Sequence, residues 1–236
     1  MTKTMRELVM DTETTGLDPN DGHRLVEIGA VELVNHMPTG RTYHQYINPE
    51  RPVPAEAYAV HGLDEAFLSG HPVFAQVVDA FLDFVGTDRM VIHNASFDMR
   101  FINAELGWLG RPPLPAAQAL DTLDMARRRF PGSPASLDAL CRRFGIDNSA
   151  REKHGALLDS EILAEVYLEL IGGRQPDFAL AGPGSRNQPT RSQTQWRPQP
   201  RPQPLPARLT DAERAAHDRF VAALGDTAVW TRYTGT

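Results

Sequence analysis

The chain is poor in cysteine, in lysine and in long apolar runs. Cys141 is the single cysteine among 236 residues, which excludes an internal disulfide and a cysteine-built zinc site. No run of 18 apolar residues occurs, so no helical membrane span is expected. The N-terminal MTKTMRELVMD lacks the apolar stretch of a secretory signal, which makes the cytoplasm the expected compartment. Lysine is confined to Lys3 and Lys153, against 22 arginines. Positive charge is also short overall: Lys+Arg 24 against Asp+Glu 30 leaves a net charge of −6. That balance argues against a protein that grips nucleic acid by bulk charge.

The charge is unevenly spread. Residues 1–173 carry a net −10, residues 174–208 a net +5 and residues 209–236 a net −1. The middle segment also holds 8 of the 19 prolines, in stretches such as QPTRSQTQWRPQPRPQPLP. Such a composition predicts a disordered or polyproline-II linker. The expected layout is an acidic globular domain over 1–173, a basic linker over 174–208 and a short tail over 209–236. At 41% hydrophobic residues the chain has the means to build a core.

Hydrophobic patterning predicts strands at Leu8–Met10, Leu25–Val34, Arg41–Ile47 and Met90–Ile92. The second and third are expected to form an antiparallel hairpin across residues 35–40, Asn-His-Met-Pro-Thr-Gly. Helices are expected over 73–85, 96–106, 122–130, 136–144 and 156–171. Strands followed by alternating strands and helices predict an α/β layered domain with a mixed sheet.

Four carboxylates and one histidine stand out. Asp11 and Glu13, in LVMDTETTG, are two apart on a strand and so face one side. Their carboxylates are expected within about 7 Å of each other, where they repel unless cations hold them. Gly16 follows, where a tight turn is expected. Asp98 lies in the first turn of a helix, directly after the Met90–Ile92 strand. Asp159 falls on the apolar stripe of its helix, while Glu161, Glu165 and Glu169 mark the solvent side. A core-facing carboxylate needs a partner. Arg142, Arg143 or a metal ion can serve. His154 precedes Asp159 by five residues, in a loop, with a side chain suited to proton transfer near neutral pH. Asp-x-Glu, Asp and His-x4-Asp, in that order, suit two-metal phosphodiester hydrolysis with oxygen-ligated Mg²⁺ or Mn²⁺, two ions per site.

The stretches MDTETTGL, GHRLVEIGAVELVN, EAYAVHGL, VIHNASFD, DTLDMARRRFPG, SLDALCRRFGIDNS and HGALLDSEILAEVYLEL together resemble the DEDDh family of 3′→5′ exonucleases. The resemblance runs over roughly residues 7–173 and is strongest to the proofreading members that serve bacterial DNA polymerase III. It implies a ribonuclease-H-like fold. It also implies that Asp11, Glu13, Asp98 and Asp159 ligate the metals and that His154 is the general base. Relatives with tyrosine four residues before the last acid are set apart, because Gly155 holds that position. By the same resemblance Thr14, Thr15 and Gly16 frame the terminal nucleotide, Glu56 and His61 contact it, and Phe97 and Leu17 supply apolar contacts. The substrate class is a DNA 3′ end. The alternative within the family is a ribonuclease acting on short or 3′-trailing RNA. A catalytically silent adaptor between clamp and polymerase is opposed by all five catalytic positions being filled.

Beyond the domain, residues 175–180 (QPDFAL) resemble a sliding-clamp-binding peptide, with Gln175, Phe178 and Leu180 as anchors. Thr210 and Glu213 have capping-box spacing before a helix whose apolar side includes Phe220 and Leu224. With Trp230 these residues form the expected docking tail for the alpha subunit of DNA polymerase III. The acidic domain does not exclude a nucleic-acid substrate on this reading, because two divalent ions would supply four positive charges locally.

Overall fold

The computed structural model describes residues 5–149, 151, 153–173 and 210–224. In chain order the elements are β1 (Arg6–Thr14), β2 (Leu25–Val34), β3 (Met37–Tyr46), α1 (Ala55–His61), α2 (Glu65–Leu68), α3 (Phe74–Val85), β4 (Arg89–Ile92), α4 (Ala95–Trp108), β5 (Ala119–Asp121), α5 (Thr122–Arg129), α6 (Leu137–Phe144), α7 (Ala156–Leu170) and α8 (Asp211–Ala223). The five strands form one mixed sheet in the order β3-β2-β1-β4-β5. The β1–β2 and β2–β3 pairs are antiparallel, and β1–β4 and β4–β5 are parallel.

Alternation along β1 sends successive side chains to opposite faces of the sheet. Leu8 and Met10 join Phe74, Phe81, Phe101 and Ile102 of α3 and α4 in one buried layer. Val9 points the other way, toward Leu163 and Tyr167 of α7. A third cluster, with Cys141, Leu140, Ala126, Ile162 and Val166, fastens α5 and α6 to α7. Cys141 is fully buried, as expected of a core thiol.

The expected strands and helices are present, but the hairpin is tighter and three short elements are added. The β2–β3 hairpin turns on Asn35 and His36 alone, both at positive φ (51° and 63°), and Val34 pairs with Met37. Two consecutive left-handed residues make the tight turn whose twist matches flanking strands, so Met37–Gly40 belong to β3 and not to a six-residue turn. The three-residue β5 and the short α1 and α2 went unrecognised, being too short to show a periodicity.

The chain divides into two compact units, Met1–Ala179 and Leu180–Thr236. In the second, α8 is described. Its capping box is formed: Glu213 N–H donates to the Thr210 hydroxyl, and the Glu213 carboxylate accepts from Thr210 N–H. The expected linker, with Gln175, Phe178 and Leu180, and Trp230 of the tail lie outside the described residues. Among those described, no helix is long and apolar enough to cross a membrane.

Candidate active site

The end of β1 delivers Asp11 and Glu13 to the α7 face of the sheet and Thr12 to the α4 face. Thr12 donates from its hydroxyl to Asp98 at 2.6 Å, which ties the buried Asp98 of α4 to the same strand end. On the other face, Glu13, His154 and Asp159 offer ligand atoms that all lie within 4.8 Å of one another. Glu13, Asp98 and Asp159 are buried, whereas Asp11 keeps partial access to solvent.

Crowding shows in the acidities. Burial, then the charges of Asp98, Glu13 and Asp159, push the Asp11 carboxyl well above the usual range. Burial, followed by Asp159, Glu27 and Asp98, pushes Glu13 up to about 8. Burial also lifts Asp98 to about 7, against the opposing hydrogen bond from Thr12. Carboxylates gathered this closely are stable in the ionised form when cations lie between them. The donor set, carboxylate oxygens with one imidazole, suits a hard divalent ion.

Helix α7 must approach the sheet closely to bring Asp159 there. Gly29, the cross-strand partner of Asp11, makes this possible. A Cβ at Gly29 would lie 2.2 Å from backbone atoms of Ala156 and Leu157. Ser160 donates to the Gly29 carbonyl at 3.0 Å. The buried Glu27 accepts from the Ala156 N–H at 3.1 Å and pairs with His44 Nε2 at 2.7 Å. Glu27 thereby caps the first turn of α7, a favourable place for an anion.

Helix α4, which carries Asp98, is fixed at both ends. Asp121 accepts from the N–H groups of Asn94 and Ala95, and also caps α5 through Leu123 N–H. Asn94 itself is left-handed, at φ 64°. His93 bonds Thr122 at 2.9 Å. Farther along, Glu105 takes a two-pronged bond from Arg24, at 2.7 and 2.8 Å.

Asp159 has an arginine partner, and it is neither Arg142 nor Arg143. Both of those are exposed, and Arg143 stacks over Phe130. Arg151 holds Asp159 instead, through Nε at 2.5 Å and Nη2 at 2.6 Å. Helical spacing could not find Arg151, because it lies in the loop before α7. Asp121 and Glu27 were missed for a related reason: their partners are backbone N–H groups distant in sequence.

Two open clefts meet at the carboxylates. One, of about 760 Å³, is lined by Asp11, Glu13, Asp98, Arg151, His154 and Asp159, and reaches Arg127 and Ser136. The other, of about 530 Å³, is lined by Thr14, Thr15, Gly16, Glu56 and His61. Thr12, Glu13, Leu17 and Phe97 line both. His61 accepts from Leu63 N–H through Nδ1 at 3.0 Å. Its Nε2 is buried without a hydrogen-bond partner among the described residues, and burial holds the imidazole below its ordinary pKa. Glu56 and Leu17 are exposed. The His154 loop docks on α1: His154 N–H donates to the Val60 carbonyl and Lys153 to the Ala59 carbonyl. Gly16 lies in the bend that follows β1 and is not at positive φ. A side chain there would meet the ring of His23, which bonds Thr15.

A mixed five-stranded sheet flanked by helices, with an acidic cleft at the end of its first strand, defines an exonuclease of the ribonuclease-H-like class. The family model described as Exonuclease (RNase_T) matches residues 8–167. The DNA polymerase III subunit epsilon of Rickettsia conorii is 55% identical over 179 residues, covering 75% of this chain and 78% of that one. That of Escherichia coli K12 is 43% identical over 237 residues, covering 95% and 97%. Among solved structures, exonuclease X in complex with 5′ overhanging duplex DNA is similar at a TM-score of 0.56 and 28% identity, covering 71% of this chain and 90% of that one. The nuclease domain of 3′hExo, a DEDDh family member bound to rAMP, shares the fold at a TM-score of 0.62 and 20% identity, covering 72% and 93%. The chain belongs to the exonuclease family and, within it, to the DNA polymerase III epsilon subunits.

Proposed function

We propose that this chain is the proofreading 3′→5′ exonuclease of replicative DNA polymerase III, removing mispaired 3′-terminal nucleotides as 5′-monophosphates. The observation that carries this reading is the convergence of Asp11, Glu13, Asp98, His154 and Asp159 where the two clefts meet. Asp11, Glu13, Asp98 and Asp159 would hold two divalent ions, Mg²⁺ or Mn²⁺. When bound, such ions lower the pKa of an attacking water and offset charge on the leaving oxygen.

The protein's own residues do the rest. Thr14, Thr15 and Gly16 frame the terminal nucleoside in the smaller cleft. Glu56 would hydrogen-bond it from the exposed rim and the buried His61 would contact it from the cleft wall, with Phe97 and Leu17 against its apolar surface. His154 takes the proton from the water. Its Nδ1 accepts from Arg151 Nη2 at 2.7 Å and lies 3.3 Å from Asp159, so the arginine bond must open before that nitrogen can take the proton. The remaining strand follows the larger cleft toward Arg127. Base identity is not read. A mispaired end costs less to unpair, and that difference selects it.

The tail supports a polymerase partner. Phe220 is exposed on α8, and the similarity to the Escherichia coli protein spans 95% of this chain. In this reading Phe220, Leu224 and Trp230 dock on the alpha subunit. Gln175, Phe178 and Leu180 bind the sliding clamp. The protein works in the bacterial cytoplasm.

The test is degradation of a 5′-labelled mispaired primer with Mg²⁺. Asp11→Ala with Glu13→Ala abolishes activity in a protein that still melts cooperatively. His154→Ala slows the reaction by about 10²–10⁴-fold with Mn²⁺ binding largely intact. Retained activity in the double variant refutes the assignment. Preference for oligoribonucleotides over DNA transfers the protein to RNA processing.

A further inference from the structure

Arg151 is more than a charge partner, because of what its guanidinium touches. Nε and Nη2 donate to both oxygens of Asp159, at 2.5 and 2.6 Å. Nη2 also donates to His154 Nδ1 at 2.7 Å, and Nη1 to Asp138 at 2.8 Å. The Arg151 side chain is 9% exposed, whereas that of Asp138, in the first turn of α6, is 47% exposed. Asp138 is outside the group of ligand atoms formed by Glu13, His154 and Asp159.

A carboxylate has about four lone-pair positions, and a two-pronged arginine takes two of them. The guanidinium charge also repels a dication approaching the same oxygens. We propose that Arg151 is a positioning residue that competes with the divalent ion for Asp159, and that Asp138 is the anchor holding its guanidinium when Asp159 turns to the ion. The proposal rests on the reading of Asp159 as a metal ligand. Arg151 then sets how tightly the site takes metal. Through Nη2 it also fixes the tautomer of His154, so that one side chain couples the ion-binding acid to the general base.

Asp138 is suited to this part. It faces solvent on one side, so its charge is inexpensive to keep. It already holds Nη1, so the guanidinium need not leave the cleft. Lysine cannot reproduce the arrangement, because one ammonium group lacks the planar fork that spans two carboxylates and an imidazole.

The experiment titrates the EDTA-stripped full chain with Mn²⁺ and reads free Mn²⁺ by electron paramagnetic resonance. Arg151→Gln binds Mn²⁺ about tenfold more tightly than the unaltered protein, the scale of one lost charge-assisted pair. Arg151→Lys falls between them. Asp138→Asn binds several-fold more weakly, because the guanidinium has lost its alternative anchor. In the Arg151→Gln background Asp138→Asn has little further effect, since Asp138 acts through Arg151. Equal or weaker binding by Arg151→Gln overturns the proposal, as does an equal effect of Asp138→Asn in both backgrounds. If Arg151→Gln does not fold, unchanged or tighter binding by Asp138→Asn overturns it. Failure of the unaltered protein to bind Mn²⁺ removes the metal reading of Asp159 and this proposal with it. Mn²⁺ binding that Arg151→Gln leaves untightened removes this proposal alone.

Discussion

Glu13 and Asp98 hold protons far more firmly than free carboxyl groups, with values pushed to about 8 and about 7 from 4.5 and 3.8. The consequence for stability has a definite sign. The folded protein binds more protons than the unfolded chain between these limits, so stability falls as pH rises through the window. Metal-stripped protein therefore melts at a lower temperature at about pH 8 than at about pH 6. Ions that bind the folded state offset the repulsion, so the Mn²⁺-induced rise in melting temperature is larger at the higher pH. Glu13→Gln removes one of the charges, flattens the pH dependence of the stripped protein and cuts the Mn²⁺ gain. Scanning calorimetry at the two pH values checks all three outcomes. A stripped protein that melts higher at alkaline pH contradicts the crowding of these acids.

The site depends on where α7 rests on β2, which is an element-scale contact. Gly29 has no side chain to hold the helix away, Ser160 bonds its carbonyl, and Glu27 caps the helix start. Gly29→Ala places a methyl group 2.2 Å from the Ala156 and Leu157 backbone. Backbone cannot step aside as a flexible side chain can, so the helix must shift. The expected cost is about 1–3 kcal/mol of stability. Because α7 carries Asp159 and its first turn follows His154, kcat falls by about 10²-fold even if the protein stays folded. Thermal melting and steady-state kinetics of this one variant separate the two effects. Near-normal kcat shows that α7 can settle elsewhere without moving the acids. Helix α4 has independent fastenings in Asp121 and the Arg24–Glu105 pair, so Asp98 is insulated from changes at Gly29.

On the scale of the molecule, the chain forms two compact units, Met1–Ala179 and Leu180–Thr236. The proposed catalytic groups lie wholly in the first. A chain truncated after residue 207 retains nuclease activity within about twofold, because its loss leaves the buried clusters of the domain untouched. The same truncation loses co-purification with the polymerase alpha subunit, and continued association refutes the docking role of the tail. In the proposed arrangement tethering would replace intrinsic affinity for DNA, which suits a domain of net charge −10. Much of this organisation is written in local patterns. Alternation along β1 fixed which faces Asp11, Thr12 and Glu13 occupy, and the 3.6-residue stripe of α7 marked Asp159 as inward-facing. Composition marks a change from acidic to basic sequence near residue 173, a little before the division between the two compact units at residues 179 and 180. Those are properties of neighbouring residues, and backbone geometry converts them directly into direction. Contacts between distant segments are different. That Arg151, and not Arg142 or Arg143, meets Asp159 depends on the path of a loop. That Asp121 caps α4 from a three-residue strand depends on the parallel pairing of β4 with β5. That Gly29 is a seat for a helix, and Gly16 a space for His23, depends on what the fold brings opposite them. No periodicity encodes such pairings, because they arise when packing brings segments together that the chain keeps apart.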